Sequence, residues 1–302
     1  MAHSPEAGWP PGILWSKIQQ QTRHALACGA LEPIDTRYEF VEQGGMRFLV
    51  RILANLARKE KASLAQAVQH QQGQPSNPFL PYDPDLFVAN LSATHLCLLN
   101  KYNVVDHHIL IVTREFEDQD TWLTLADFEA LALGMAEIDG LAFYNGGRQA
   151  GASQRHKHLQ LVPPPFCPDA TPLPLDGVIA ALKLAPGAAA PGVSPALPFR
   201  HAVVGLQPEA VPSGPTLLAA YRTLLSYLGV DWPQPPQAFP YNLLVTRGWM
   251  MAVPRQQEHY QSIPVNSLGF AGSLLVKNPE QLALLKALGP MTVLSQVACP
   301  AL

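Results

Sequence analysis

The stretch with the clearest chemical potential is Gly151-Ala-Ser-Gln-Arg-His-Lys-His-Leu-Gln160, which places two histidines and a glutamine at alternate positions. Successive side chains of a β-strand point to opposite faces, so His156, His158 and Gln160 are predicted to share one surface, about 7 Å apart from one to the next. Neutral imidazole is a good nucleophile near pH 7. The backbone N–H groups of the small-residue turn 151–153 suit an anion. This combination indicates phosphate chemistry with a nitrogen nucleophile.

Together with Asn145-Gly-Gly147 upstream, the stretch resembles the active-site signature of the dinucleoside tetraphosphate phosphorylases, also called ATP adenylyltransferases. They are a His-x-His-x-Gln branch of the histidine-triad superfamily, related to galactose-1-phosphate uridylyltransferase. The upstream glycines and the Gly-Ala-Ser-Gln at this spacing make the match more specific than His-x-His-x-Gln alone. Three further stretches resemble the family, 77–82, 98–108 and 266–277. Together the matching stretches cover most of the chain outside the first thirty-odd residues and the Pro/Ala-rich middle.

The resemblance implies reversible phosphorolysis, in which diadenosine tetraphosphate and phosphate give ADP and ATP through a nucleotidyl-histidine. His158 would be the nucleophile, and His156 would orient it or contact the phosphate. Gln160 stands where hydrolytic relatives have a histidine, and it cannot carry a proton charge near pH 7, which favours transfer over hydrolysis. The phosphate ligands implied are Asn145, Gly151, Ala152, Ser153, Gln154, Lys59 and Lys277, and the base or ribose ligands are Asn100, Lys101, Asn103 and Phe79.

Three of these residues have a second interpretation or depart from the family pattern. Asn100 lies eight positions before His108, where the family usually has a carboxylate, and a neutral amide holds a ribose hydroxyl more weakly. Phe79 would either stack on a base or pack beneath a loop. Lys59 would either reach the polyphosphate or be a solvated surface lysine.

Composition limits the class of protein. The 302 residues are enough for one large domain or two modest ones, and 48% of them are hydrophobic, which allows a sizeable core. The net charge of −3 argues against a general nucleic-acid surface. Four scattered cysteines form no CxxC pair, which favours reduced thiols and a cytoplasmic location. No signal peptide or transmembrane helix is expected.

The helices and strands that must position the site are predicted from hydrophobic periodicity and from the residues typical of helix ends and turns. The sequence predicts helices over 13–30, 123–138, 215–230 and 278–288, hairpins within 38–56, 94–113 and 241–253, and extended chain over 270–277. The fold class is therefore α+β, a histidine-triad-like, mostly antiparallel sheet with packed helices. We predict an N-terminal region over 1–165, a Pro/Ala-rich linker or excursion over 166–200, and a C-terminal region over 201–302 that completes the fold.

Other interpretations of the two histidines remain open at this level. They would be a buried structural pair, or they would share a zinc ion, although the CxxC-type ligands of the zinc-binding uridylyltransferases are absent. A different nucleotidyltransferase, with sulfate or a sugar phosphate as acceptor, and a non-catalytic dinucleotide-binding protein are the alternative functions. The sequence itself requires no cofactor and no metal site, and leaves Mg²⁺ as an option that accompanies the polyphosphate. The expected partners are small molecules (dinucleoside tetraphosphates, ATP, ADP and phosphate), with neither nucleic acid nor membrane.

Overall fold

An eight-stranded antiparallel sheet forms the centre of the structure, with strand order β3-β4-β5-β7-β6-β9-β10-β8. The structure is a computed structural model that describes residues 10–54, 77–166, 169, 173–187, 190–207, 210–230 and 239–301. A smaller sheet has the order β1-β2-β13, and β11 and β12 form a short hairpin. The predicted α+β class with a mostly antiparallel sheet is confirmed.

The bounds of these elements follow. The strands are β1 Thr36–Gln43, β2 Met46–Leu53, β3 Phe87–Asn90, β4 His95–Leu99, β5 Ile109–Thr113, β6 Leu141–Gly146, β7 His158–Val162, β8 Ala202–Gly205, β9 Tyr241–Val245, β10 Trp249–Pro254, β11 His259–Tyr260, β12 Ile263–Pro264 and β13 Ser273–Val276. The helices are α1 Ile13–Cys28, α2 Leu125–Glu137, α3 Asp176–Ala180, α4 Gly214–Tyr227, α5 Ser267–Phe270, α6 Pro279–Leu288 and α7 Pro290–Val297. Single 3-10 turns cover Pro84–Leu86 and Arg148–Ala150.

Alternating side chains divide the large sheet between two cores. On β6, Ala142 and Tyr144 belong to a core that includes buried residues of α1, α2 and α4. Leu141 and Phe143 belong to a second core, shared with the small sheet and the C-terminal helices. A third cluster, around Phe79, lies against β4 and β5 on the face away from the first core. The period-2 pattern of each strand therefore places one face under helices and leaves the other for the smaller sheet and the site.

Most predicted elements are confirmed within a few residues, and one is corrected. The capping box of α2 is present, with the Thr124 side chain accepting from the backbone of Asp127 and the Asp127 side chain from that of Thr124. The stretch 270–277 is not extended throughout, because the Asn266 side chain caps the short helix α5 before β13 begins. Gly289 is the C-cap of α6 and directly precedes Pro290, where α7 begins.

Strands from both ends of the chain share the large sheet, because β6 pairs with β9 from the C-terminal third. The Pro/Ala-rich segment, which lies between β6 and β9 in the sequence, contributes helix α3. The division at 165 and 200 stays a prediction. Among the helices of the described residues, none is both long and apolar enough to cross a membrane.

A buried ion pair lies beneath the histidine stretch. Lys157 points to the helix face of the sheet, where its side chain is 0% exposed and its Nζ lies 2.7 Å from the Asp127 carboxylate, itself 1% exposed. His95 contacts the same carboxylate at 3.0 Å, and Glu117 contacts Lys157 at 3.0 Å. Burial raises the pKa of Asp127, but the hydrogen bond from His95 and the Lys157 ammonium outweigh it and lower the pKa to about 2.

We expect Asp127→Asn to lower the free energy of unfolding at pH 7 by about 3 kcal/mol, because it leaves a buried ammonium with an incomplete set of partners. A carboxyl group with a depressed pKa stabilises the fold fully above its unfolded value of 3.8, and loses this contribution as the pH falls through about 2. The difference between wild type and variant should therefore shrink over that range. Denaturant unfolding at several pH values measures it.

The matched control is Glu39→Gln, which removes a carboxylate paired with Lys286 where both side chains are 45% exposed. An exposed pair contributes about 0–1 kcal/mol, so this variant should be close to wild type. Equal effects of the two substitutions at pH 7 would contradict the importance of the buried pair.

Candidate active site

His158 is held in one tautomer by its own strand. Its Nδ1 lies 2.8 Å from the backbone oxygen of His156, and a carbonyl can only accept, so Nδ1 carries the hydrogen and Nε2 carries a lone pair. The ring is 5% exposed. Burial lowers the pKa of His158 to about 4, partly offset by that hydrogen bond, so the ring is neutral at pH 7. A neutral imidazole with an unprotonated Nε2 is the form that attacks an electrophile.

His156 has a different environment, because both of its ring nitrogens are hydrogen-bonded. Nε2 donates to the backbone oxygen of Thr113 at 2.8 Å, and Nδ1 accepts from the Asn77 amide at 3.0 Å. Burial also lowers the pKa of His156. Sharing a metal with His158 would require one of these nitrogens to give up its partner. The geometry fits a positioning residue better than a zinc ligand.

Phe79 packs against both histidine rings, with centroids 5.6 Å from His156 and 5.3 Å from His158. It is 7% exposed, and its backbone N–H donates to the Asn77 side chain. Packing is therefore the interpretation of Phe79 that the geometry favours. Stacking of this ring on a base stays a prediction.

Gln160 follows on the same face and lies beside His108. The Nδ1 of His108 is 3.1 Å from the Asn100 amide nitrogen, which donates, so the His108 hydrogen is on Nε2. That Nε2 is buried and has no hydrogen-bond partner among the described residues. Burial lowers the pKa of His108 to about 4, and the Gln160 side chain partly offsets this. Asn100, His108 and Gln160 thus form a neutral polar group next to His158.

Gln119 contacts the backbone of His158 and was not among the residues predicted from the sequence. Its side-chain oxygen accepts from the backbone N–H of His158 at 2.8 Å, and its amide nitrogen donates to the backbone oxygens of Asn145 and His158 at 3.0 and 3.2 Å. β6 and β7 separate at this point, since their pairing extends only from Leu141↔Val162 to Phe143↔Gln160. The Gln119 amide replaces the missing rung. Gln119 lies in an acidic segment between β5 and α2, and the sequence around it contains no motif that would have indicated its contact with His158.

Asn145 is fixed by the C-terminal part of the chain. Its side-chain oxygen accepts from Asn242 at 2.8 Å and from both the backbone and the hydroxyl of Ser267, at 3.0 and 2.8 Å. Its amide nitrogen has no hydrogen-bond partner among the described residues. The Asn145 side chain is therefore fixed in orientation, and its amide N–H groups remain available to donate to a phosphate, the role predicted for it.

The loop 147–155 supplies fewer backbone donors than the sequence suggested. The N–H groups of Gly151 and Ala152 donate within the loop, to Arg148 and Gly147 at 2.9 and 3.3 Å. The N–H groups of Ser153 and Gln154 make no hydrogen bond in the described structure. Gly151 has φ +88, and a Cβ there would lie 2.7 Å from the backbone oxygen of Val265, so only glycine fits.

Lys101, Asn103 and Lys277 are the remaining predicted residues that the structure describes. Lys101 forms an ion pair with Glu32 at 3.4 Å, and Asn103 donates to the backbone oxygen of Val105. Lys277 is exposed just after β13. No hydrogen bond or ion pair joins these three residues to the histidines within the described ranges. Lys59 falls outside the described residues.

Two family models together match most of the chain. The model described as the Ap4A phosphorylase N-terminal domain matches residues 4–181, and that described as the ATP adenylyltransferase C-terminal domain matches residues 195–300. The chain belongs to the Ap4A phosphorylase family. Membership confirms the predicted family and makes the protein a nucleotidyltransferase, as expected from the signature around His158.

Relatives in this family support the same conclusion. Diadenosine 5',5'''-P1,P4-tetraphosphate phosphorylase 2 of Saccharomyces cerevisiae is 30% identical over 266 residues, covering 78% of each chain. Protein APA1 of the same yeast is 26% identical, covering 89% of this chain and 88% of the relative. The crystal structure of yeast Ap4A phosphorylase Apa2 matches with a TM-score of 0.77 and 27% identity over 95% of this chain and 94% of that one. Its complex with Ap4A matches with the same TM-score, 26% identity and coverage of 95% and 97%.

For this member of the Ap4A phosphorylase family, we expect Gln119→Ala to lower kcat about 100-fold with little change in KM. Removing the amide frees the backbone of His158 and leaves buried groups unpaired, and a displacement of about 1 Å at a reacting group costs on the order of 10²-fold. Steady-state kinetics with diadenosine tetraphosphate and phosphate measure the change.

The control is Gln256→Ala, since the exposed Gln256 side chain also donates to a backbone oxygen, that of Gln296 at 3.0 Å. It should keep wild-type kinetics. A folded Gln119→Ala protein, verified by circular dichroism, with kcat within about fivefold of wild type would refute the role given to Gln119.

Proposed function

We propose that the protein phosphorolyses dinucleoside tetraphosphates, converting diadenosine tetraphosphate and phosphate to ADP and ATP through a nucleotidyl-histidine on His158. One observation carries the proposal. The Nδ1–H of His158 donates to the His156 carbonyl, so the neutral ring has an unprotonated Nε2 at the histidine of the family signature. The names of the yeast relatives support the substrate class.

In the first step, the His158 Nε2 lone pair attacks the α-phosphorus of one nucleotide. The P–N bond forms as the bond from that phosphorus to the bridging oxygen breaks, and ATP leaves with the oxygen and its electron pair. In the second step, an oxygen of inorganic phosphate attacks the same phosphorus, the P–N bond breaks, and ADP forms with His158 restored. Both steps are reversible, because each exchanges one bond of high transfer potential for another, a P–N bond for a phosphoanhydride bond or the reverse.

Charge stabilisation dominates such transfers. The donors we assign to the phosphates are the Ser153 hydroxyl, the N–H groups of Ser153 and Gln154, the Gln154 side chain and the amide nitrogen of Asn145. Hydrogen-bonded donors at Gly151 and Ala152 shape the loop instead. Gln160 stays neutral throughout and offers no proton for water-dependent release, which favours phosphate as the acceptor.

The nucleoside of the transferred group is assigned to the side of Asn100, Lys101 and Asn103, in keeping with the family resemblance. The His108 Nε2–H adds a buried donor there that the sequence had not singled out. Lys59 and Lys277 remain proposed ligands of the outer phosphates. Mg²⁺ is proposed to accompany the polyphosphate rather than to occupy a site of the protein, and a cytoplasmic location is proposed from the pattern of cysteines.

Product analysis with diadenosine tetraphosphate tests the function. We expect ATP and ADP to appear only when phosphate is added. His158→Ala should abolish both products while the protein stays folded, because the attacking nitrogen belongs to the His158 side chain. His259→Ala, a change at an exposed histidine of β11, is the control and should retain full activity.

Three results would count against the proposal in different ways. AMP and ATP formed without phosphate would make water the acceptor. Products formed only with sulfate or a sugar phosphate would favour the alternative acceptors. Retained phosphorolysis in His158→Ala would remove His158 from the nucleophile's role.

The pH profile of kcat/KM for diadenosine tetraphosphate gives a further test. The reaction needs neutral His158, and burial lowers the pKa of His158 to about 4. Because the pKa is lowered, protonation of His158 removes activity only at a lower pH. We therefore expect kcat/KM to stay level from about pH 8 to 5 and to decline only as the pH approaches 4. An acid limb centred near the ordinary histidine pKa of about 6.5 would contradict a buried, neutral nucleophile. Activity after return to pH 7.5 controls for acid unfolding.

A further inference from the structure

An exposed aromatic ring stands beside the otherwise buried histidines. Phe116 is 50% exposed, whereas Phe79 on the other contact of His156 is 7% exposed. The Phe116 ring meets His156 edge-on, with centroids 5.6 Å apart and an interplanar angle of 65°. Half-exposure of one apolar side chain is ordinary by itself, and it is the contact with His156 that makes this ring notable.

The position of Phe116 is fixed by the backbone. Residues 117–119 run alongside 155–157, with the Lys157 N–H donating to Glu117 and the Gln119 N–H donating to Arg155, at 2.9 and 2.6 Å. Asp118 and His156 form a β-bridge in this pairing. Phe116 is the residue that leads into it, so its ring is attached to the same backbone that holds His156.

A cation accompanies the ring. The guanidinium carbon of Arg155 lies 5.9 Å from the Phe116 centroid, and the Arg155 side chain is 77% exposed while paired with Asp118. Burial is slight there, and the pKa of Arg155 is raised by its hydrogen bond to Asp118, so the group is fully charged. An aromatic surface beside a guanidinium is a combination that binds a nucleobase and the phosphates attached to it.

The order of residues along the strand gives the direction. Gln160, with Asn100 and His108 beside it, lies on one side of His158, and His156 lies on the other side, with Phe116 beyond it. Under the proposed function, the transferred nucleotide occupies the Asn100 side. The leaving nucleotide then extends past His156, towards Phe116.

We infer that Phe116 is the stacking surface for the base of the leaving nucleotide, with Arg155 next to its phosphates. In the reverse reaction, the same ring receives the base of the attacking ATP. The inference rests on the proposed function for its direction, and adds a second base subsite to it.

Two substrates separate this role from mere support of His156. Diadenosine tetraphosphate has a base on the leaving side, whereas adenosine 5'-tetraphosphate attacked at its α-phosphorus releases tripolyphosphate, which has none. We expect Phe116→Ala to lower kcat/KM about tenfold for the dinucleotide, in the range of a lost base stack. For adenosine tetraphosphate the change should be less than about twofold, because the interaction does not exist there.

Two further variants complete the comparison. Phe116→Trp keeps an aromatic surface and should restore the preference for the dinucleotide. Tyr227→Ala removes an aromatic side chain of α4 that is 46% exposed, and should leave both substrates unchanged. Equal losses for both substrates in Phe116→Ala would mean that the ring acts through His156, and no loss would mean that it contacts neither; either result would overturn the inference.

Binding tests the subsite independently of turnover. In Phe116→Trp, ATP should quench the added indole fluorescence, measured against the wild type with its five native tryptophans, and tripolyphosphate should not. If the wild-type protein proved inactive with every acceptor, the proposed function would fail while this quenching still supported a base subsite. Absence of quenching by ATP would reject the subsite even in a fully active phosphorylase.

Discussion

The hydrogen bond from the His158 ring to the peptide carbonyl of His156 is the constraint on which the rest of the site depends. It spans only two residues, and it determines which nitrogen of His158 is unprotonated. Such a bond exists only while the backbone from 156 to 158 keeps its extended form. The structure holds that backbone from both sides: Lys157 is anchored on the helix face by a buried carboxylate, and Gln119 accepts the N–H of His158.

The site occupies a place where the central sheet opens. β7 pairs with β5 as far as Val112↔His158, while its pairing with β6 ends earlier, at Phe143↔Gln160. β6 continues along β9 to Gly146, so the two central strands separate and leave polar backbone groups between them. Buried backbone groups need hydrogen-bond partners. The Gln119 side chain bonds to three such groups: the N–H and the C=O of His158, and the C=O of Asn145. The Gln119 side chain therefore satisfies backbone groups that the separation of β6 and β7 would otherwise leave unpaired.

Charge is divided between the two faces of β7. The helix face contains the ionised Lys157–Asp127 pair, whereas the face that holds His158 contains neutral imidazoles and amides. Burial lowers the pKa values of His108 and His158 to about 4 each, which keeps this face free of positive charge at pH 7. Neutrality suits the role proposed for His158, because a nucleophile must keep its lone pair. Arg155, in the neighbouring loop, is exposed and is paired with Asp118.

The sequence by itself determined the features that depend on neighbouring residues. The alternation of His156, His158 and Gln160 is a property of any strand, and the capping box of α2 spans three residues, so both were predictable from local patterns. The α+β class followed from the same periodicities. Tertiary structure alone decided which distant groups complete the site. Gln119 reaches His158 from 39 positions away, and Asn145 is oriented by residues 97 and 122 positions away. Tertiary structure also decided which N–H groups of the 147–155 loop are hydrogen-bonded and how far Phe116 is exposed. Hydrogen-bond partners and exposure are properties of the packed chain, and they leave no periodic pattern in the sequence.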